Sequence, residues 1–85
     1  MHTTIYGRPA CPYCVRAKQI AEVLKKKRDD FDYTYIDMVQ AGISPQQLQE
    51  TIGQPVRTVP QILIDDTYIG GCMEFEAHAR ANLGL

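Results

Sequence analysis

The polar and apolar positions of this chain change period several times, and each change marks an element. Thr3 to Tyr6 is a short β-favouring run that halts at Gly7, which predicts a first strand. Beyond Gly7-Arg8-Pro9-Ala10, the residues Cys14, Ala17, Ala21 and Leu24 recur at helical spacing with Ile20 beside them. Arg16, Lys18, Gln19, Glu22 and Lys26 take the opposite face, so an amphipathic helix is expected over Pro12–Lys27, with proline at its first position. Phe31 to Met38 alternates aromatic and polar residues and predicts a second strand. Ser44-Pro45-Gln46-Gln47 then reads as a helix start: serine as N-cap, proline first, glutamine third. Leu48 and Ile52 follow one turn apart, and Gly53 suits the stop.

Gln61 to Asp65 holds the unbroken apolar run Ile62-Leu63-Ile64, the pattern of a strand covered on both faces. Asp66 allows a tight turn into Thr67-Tyr68-Ile69, which Gly70-Gly71 ends, and Met73 to Leu83 returns to helical spacing. The order is β-α-β-α-β-β-α. A strand, crossover helix and strand run parallel, whereas a two-residue turn makes its pair antiparallel. The expectation is an α/β protein: one mixed four-stranded sheet with helices on both faces, residues 1–85 forming a single domain.

Composition narrows the function. Nine Lys and Arg against ten Asp and Glu give a net charge of −1, which argues against a nucleic-acid partner. No apolar run approaches the roughly 18 residues of a membrane span. Met1-His2-Thr3-Thr4-Ile5 has neither the basic nor the apolar region of a secretory signal, so a cytoplasmic location is expected. In such a setting three cysteines read as redox-active or metal-binding thiols rather than a disulfide scaffold.

Cys11-Pro12-Tyr13-Cys14 is the most informative quartet. A Cys-X-X-Cys pair that opens a helix after a first strand is the redox signature of thioredoxin-like proteins. Three residues apart at a helix start, the two α-carbons fall within disulfide range. The helix N-terminus also offers free N–H groups and partial positive charge to a thiolate at Cys11, with Arg8 and Lys18 near enough to add to the effect. Cys14, on the apolar face with Ala17 and Ala21, is the deeper sulfur. This asymmetry makes Cys11 the attacking nucleophile and Cys14 the resolving thiol. The same quartet also fits two inert cysteines, half of a metal site, or a copper carrier, although Cys72, His2 and His78 supply no second pair at ligand spacing.

Two further segments carry weaker signals. Thr58-Val59-Pro60 puts a proline at the head of the buried strand, and a cis bond there would free the Val59 backbone to pair with an extended peptide. Gly70-Gly71 before a helix is either a plain turn or a cradle of N–H groups for a carboxylate.

Taken in order, Cys11-Pro12-Tyr13-Cys14, Thr58-Val59-Pro60 and Gly70-Gly71 resemble the glutaredoxins of the small dithiol bacterial type, over essentially the whole chain. The resemblance implies a thioredoxin fold and a glutathione-dependent thiol–disulfide oxidoreductase that reduces protein disulfides and glutathione mixed disulfides. It implies a cis Pro60 facing the cysteines, Val59 pairing with the cysteinyl part of glutathione, and Arg8, Tyr13 and Thr58 lining the groove. Gly71, Cys72, Met73 and Glu74 would hold the γ-glutamyl end. Glutathione is then a co-substrate, with no permanently bound cofactor and no metal. The other partners implied are disulfide-containing and glutathionylated proteins, ribonucleotide reductase among them, met by a monomer. The family commonly has Asp where this chain has Glu74, and a small polar residue where it has Met73, which supplies no capping oxygen.

The rivals are a reductant served by thioredoxin reductase, the copper carrier, and a cluster-binding role against which Pro12 argues by removing an N–H near the sulfurs. Lys25-Lys26-Lys27-Arg28 is expected to be a solvated helix end, cancelled by Asp29 and Asp30. His2 and His78 read as surface or boundary residues. Cys72 is either a small buried hydrophobe or a regulatory thiol.

Overall fold

A computed structural model describes residues 1–85. Its centre is β1 (His2–Gly7), which turns Thr3, Ile5 and Gly7 inward at the period of two that a pleated strand imposes. Strand β1 pairs in parallel with β2 (Asp32–Asp37) and antiparallel with β3 (Gln61–Ile64), which pairs antiparallel with β4 (Thr67–Gly70). The sheet order is β2-β1-β3-β4. Register sets Ile5 beside Tyr35 on one side and Ile62 on the other. The mixed sheet expected from the sequence is the one observed.

Helix α1 (Pro12–Lys27) buries Cys14, Ala17, Ile20, Ala21 and Leu24 and keeps the limits read from the sequence. Lys25, Lys26 and Lys27 of its last turn are exposed, with Lys25 3.5 Å from Asp32, whereas Arg28 at the C-cap is half-buried and meets Asp30 at 2.7 Å. With α4 (Cys72–Asn82) it covers one face of the sheet, around Ile5, Phe31, Ile62, Ile64, Phe75 and Leu83. The other face is covered by Met38, Leu48 and Ile52 packed on Leu63. The run Ile62-Leu63-Ile64 is therefore buried from both sides, as an alternating strand between two helical layers must be.

The structure corrects several boundaries. The second strand stops at Asp37, because the Asp37 carboxylate accepts from the N–H groups of Val39 and Gln40 and caps a short helix α2 (Met38–Ala41). Phe31 is buried just ahead of that strand. Asp65 takes a left-handed conformation (φ 52°) and ends β3 one residue early. Strand β1 reaches from His2 to Gly7, past both ends of the expected Thr3–Tyr6. Helix α3 (Pro45–Ile52) has the expected reciprocal cap, Gln47 N donating to Ser44 Oγ and Ser44 N donating to Gln47 Oε1. Helix α4 starts at Cys72 rather than Met73 and ends at Asn82, one residue before Leu83.

Gly7 joins this fold to the candidate site. A Cβ there would strike the Tyr35 hydroxyl, with Tyr35 Cζ at 2.8 Å and Cys14 Sγ at 3.0 Å. Gly7→Ala should therefore overpack the junction and lower stability by about 1–3 kcal/mol. The check is urea unfolding: the midpoint should drop with an unchanged slope, and an unmoved midpoint would show that the ring yields freely.

Candidate active site

Three chain segments meet at the N-terminal end of α1. The first carries the sulfurs. Cys11 is the N-cap, in extended backbone (φ −111°, ψ 110°), and Pro12 is the first helical residue. The cysteines are disulfide-bonded with α-carbons 5.1 Å apart, inside the range such a bond tolerates. Cys14 is fully buried, whereas Cys11 is half-exposed. The Cys14 N–H donates to Cys11 Sγ at 3.1 Å, so a sulfur satisfies one of the orphan donors of the helix start. The expected asymmetry of depth is present. Of the two cations expected to assist, Lys18 lies over the Tyr35 ring, 5.2 Å from its centroid, and the Arg8 side chain is exposed beside a neighbouring cavity.

The second segment is Thr58-Val59-Pro60, with a cis bond between Val59 and Pro60. Cys11 Sγ lies 3.8 Å from the Val59 carbonyl oxygen, a contact rather than a hydrogen bond because a disulfide sulfur has no proton. This loop is anchored by a residue that sequence reasoning missed. Buried Gln61 donates through Nε2 to the Thr58 carbonyl at 2.7 Å and accepts from the Tyr68 hydroxyl at 2.5 Å. A polar residue heading an all-apolar strand was the only signal of it.

The third segment opens α4. Gly71 is the N-cap and has no side chain to offer, so Glu74 makes the one side-chain cap, its Oε1 accepting from Gly71 N at 2.8 Å. The N–H groups of Cys72 and Met73 open the helix and lack intrahelical acceptors. Cys72 is buried and Met73 is fully displayed at 71% exposure.

Between these segments runs a groove of about 380 Å³ lined by Tyr13, Thr58, Val59, Pro60, Gly71, Cys72, Met73 and Glu74. Of the groove residues expected from the sequence, Arg8 alone lies outside it. Arg8 lines an adjoining cavity of about 340 Å³ that shares Thr58 and Val59 and includes Arg57, a second cation that sequence reasoning passed over. Its place directly before Thr58 was the available clue. His2 contacts Thr34 and His78 contacts Asn82, so neither joins the cysteines.

On the far side of Tyr13, Glu76 is paired with Arg16 at 2.6 Å and Arg80 at 3.1 Å. Arg80, and then Arg16, hold its carboxyl below the usual carboxylate range. Burial pushes the Cys72 thiol up; Arg16 opposes this, while Glu76 and Glu74 reinforce it.

A family model described as Glutaredoxin matches residues 3–69 of this chain. A glutaredoxin from Vibrio cholerae is 61% identical over 85 residues, covering 100% of this chain and 98% of the relative. The structure of reduced Escherichia coli glutaredoxin is 50% identical, with a TM-score of 0.91 over 100% of both chains. A buckwheat glutaredoxin solved as a glutathione complex is 28% identical, with a TM-score of 0.71, covering 93% of this chain and 68% of that one.

Cys72 is the one cysteine outside the disulfide, and its raised pKa fixes the sign of its pH response. The thiol stays protonated through neutral pH, so iodoacetamide should label the oxidised native protein slowly at pH 7. Labelling should accelerate only above the ordinary thiol pKa of about 8.5. Unfolding in urea should expose Cys72 and raise its rate at least about tenfold. Rapid native labelling at pH 7 would contradict the burial argument.

Proposed function

This chain belongs to the glutaredoxin family, and from that premise we propose how its residues divide the work. It has the thioredoxin fold and is a glutathione-dependent thiol–disulfide oxidoreductase with a Cys11–Cys14 dithiol. In the proposed division Cys11 is the nucleophile and Cys14 the resolving thiol. The observation that carries it is depth: Cys14 has no exposed surface, while Cys11 is half-exposed beside the groove. A thiolate must reach a substrate sulfur in order to attack it.

With a protein disulfide, Cys11 Sγ attacks one substrate sulfur, the substrate bond breaks, and the second sulfur leaves as a thiolate that takes a proton. Cys14 then loses its proton and attacks Cys11 Sγ, closing the internal disulfide and releasing the first substrate sulfur. One glutathione reopens that bond by joining Cys11. A second removes the first as glutathione disulfide. With a glutathionylated protein, Cys11 takes the glutathione directly and a second glutathione releases it, without Cys14.

For glutathione itself, the Val59 backbone pairs with the cysteinyl part and Tyr13, Thr58 and Pro60 form the walls, with Arg8 in the adjoining cavity. The γ-glutamyl end falls to Gly71, Cys72, Met73 and Glu74. Support comes from the shared groove and from the open N–H groups at the start of α4. The buckwheat relative's glutathione complex adds to it. Glutathione is a co-substrate here, and the scheme calls for no resident cofactor. The protein partners proposed are disulfide-containing and glutathionylated proteins, with ribonucleotide reductase as a candidate, met by a monomer whose single domain spans residues 1–85. A cytoplasmic location follows from the need for a reducing glutathione pool.

The role assignment is tested with two glutathione-coupled assays on two variants, with folding checked by circular dichroism. Cys14→Ser should keep removing glutathione from a small mixed disulfide and lose reduction of an intramolecular protein disulfide by about two orders of magnitude or more. Cys11→Ser should lose both, because a hydroxyl is not ionised near neutral pH. A folded Cys14→Ser protein without either activity would refute the assignment, as would any residual activity in Cys11→Ser.

Glu74 offers a second test. As an exposed carboxylate it contributes to binding an ammonium about 0.2–1 kcal/mol, so Glu74→Gln should raise the KM for glutathione by at most about fivefold. An unchanged KM would leave the γ-glutamyl end to the backbone N–H groups alone.

A further inference from the structure

Tyr35 belongs to β2 and is not part of the groove, yet it reaches the sulfurs from behind. Its ring is half-buried against the main core, and the Lys18 ammonium holds it from above, 5.2 Å from the centroid. Lys18 stands one helical turn beyond Cys14 on α1. The Tyr35 hydroxyl donates to the Arg8 carbonyl at 3.2 Å, inside the loop that delivers Cys11. It also touches the point where a Gly7 Cβ would stand, and Cys14 Sγ lies 3.0 Å from the same point. The hydroxyl and the buried sulfur therefore flank one missing methyl group.

We infer that Tyr35 is a positioning residue for the resolving step, its hydroxyl serving the Cys14 sulfur across Gly7. This rests on Cys14 as the resolving thiol. Cys14 is buried on the apolar face of α1 with Ala17 and Ala21, where a charged sulfur is poorly solvated, and a hydroxyl turned toward it across Gly7 would lower the cost of the thiolate that must form. The O–H that faces the Arg8 carbonyl in the disulfide form is free to rotate about its C–O bond. Burial, and then Asp37, push the Tyr35 pKa up, so the phenol remains a donor at neutral pH. In the step itself the Cys14 proton leaves to water. Cys14 Sγ bonds to Cys11 Sγ, and the bond from Cys11 to the substrate breaks. The substrate thiolate takes up a proton, and Tyr35 keeps its own.

The test is Tyr35→Phe, which removes only the hydroxyl, alone and combined with Cys14→Ser, in both glutathione-coupled assays. Reduction of an intramolecular protein disulfide should fall about three- to tenfold, the worth of one hydrogen bond. That loss should lie in kcat, with KM for the protein substrate unchanged. Removal of glutathione from a mixed disulfide should change less than about twofold, both in Tyr35→Phe and on adding it to Cys14→Ser. Equal losses in the two assays would overturn the inference, as would no loss in either or a loss confined to KM. If Cys14→Ser alone abolishes both activities, the assignment of the resolving thiol fails, which is a separate result.

Discussion

The structure turns on a helix whose N-cap is a sulfur. The first turn of any helix presents N–H groups without partners, and a serine, threonine or aspartate oxygen usually meets one of them. Here Cys11 Sγ does so, accepting from the Cys14 N–H. A neutral sulfur is a weak acceptor, but a thiolate is a charged one, so the helix start and the ionised form of Cys11 stabilise each other. Pro12 and the buried stripe from Cys14 to Leu24 fix the direction of the helix, and thereby aim its positive end at the sulfur. Chemistry and helix capping are one interaction.

That end would be of little use without the two segments facing it, and strand β3 supplies both. It is buried on both faces, so the loop before it and the hairpin after it leave the sheet at fixed places. The Tyr68–Gln61–Thr58 chain of hydrogen bonds ties the incoming loop to the outgoing strand. A polar network around a buried residue is rigid only when that residue is satisfied, and here buried Gln61 both donates and accepts.

Much of this was legible in the sequence because the relevant signals are local. The period of Cys14, Ala17, Ala21 and Leu24, with Pro12 ahead of it, set the limits of α1, and the Ser44–Gln47 cap set the start of α3. Helix α2 was missed because four residues show no period, and only the Asp37 side chain defines it. Gln61 and Arg57 leave only faint local marks, and the partners that Gln61 and Tyr35 meet have no local signature. Gln61 meets Tyr68 through strand pairing, and Tyr35 meets Gly7 because a parallel register brings β2 alongside β1. Arg8 and Lys18 were expected close to the sulfurs by sequence distance, but loop and helix geometry turn Lys18 toward an aromatic ring instead.

Glu74 shows how a departure from the family pattern is absorbed. With glycine at the N-cap and methionine in the first turn of α4, neither offers a capping oxygen, and the Glu74 carboxylate folds back to the Gly71 N–H. Its stem then packs over Gly70, whose φ of 127° no side-chain-bearing residue adopts easily. A shorter aspartate would need a tighter bend to make the same bond. The carboxylate has a second oxygen, and one ionised group accepts several hydrogen bonds at once. In the proposed complex, capping the helix and meeting an ammonium are therefore compatible demands. The longer side chain costs order in solution, but the bond to Gly71 restores it before the ligand arrives.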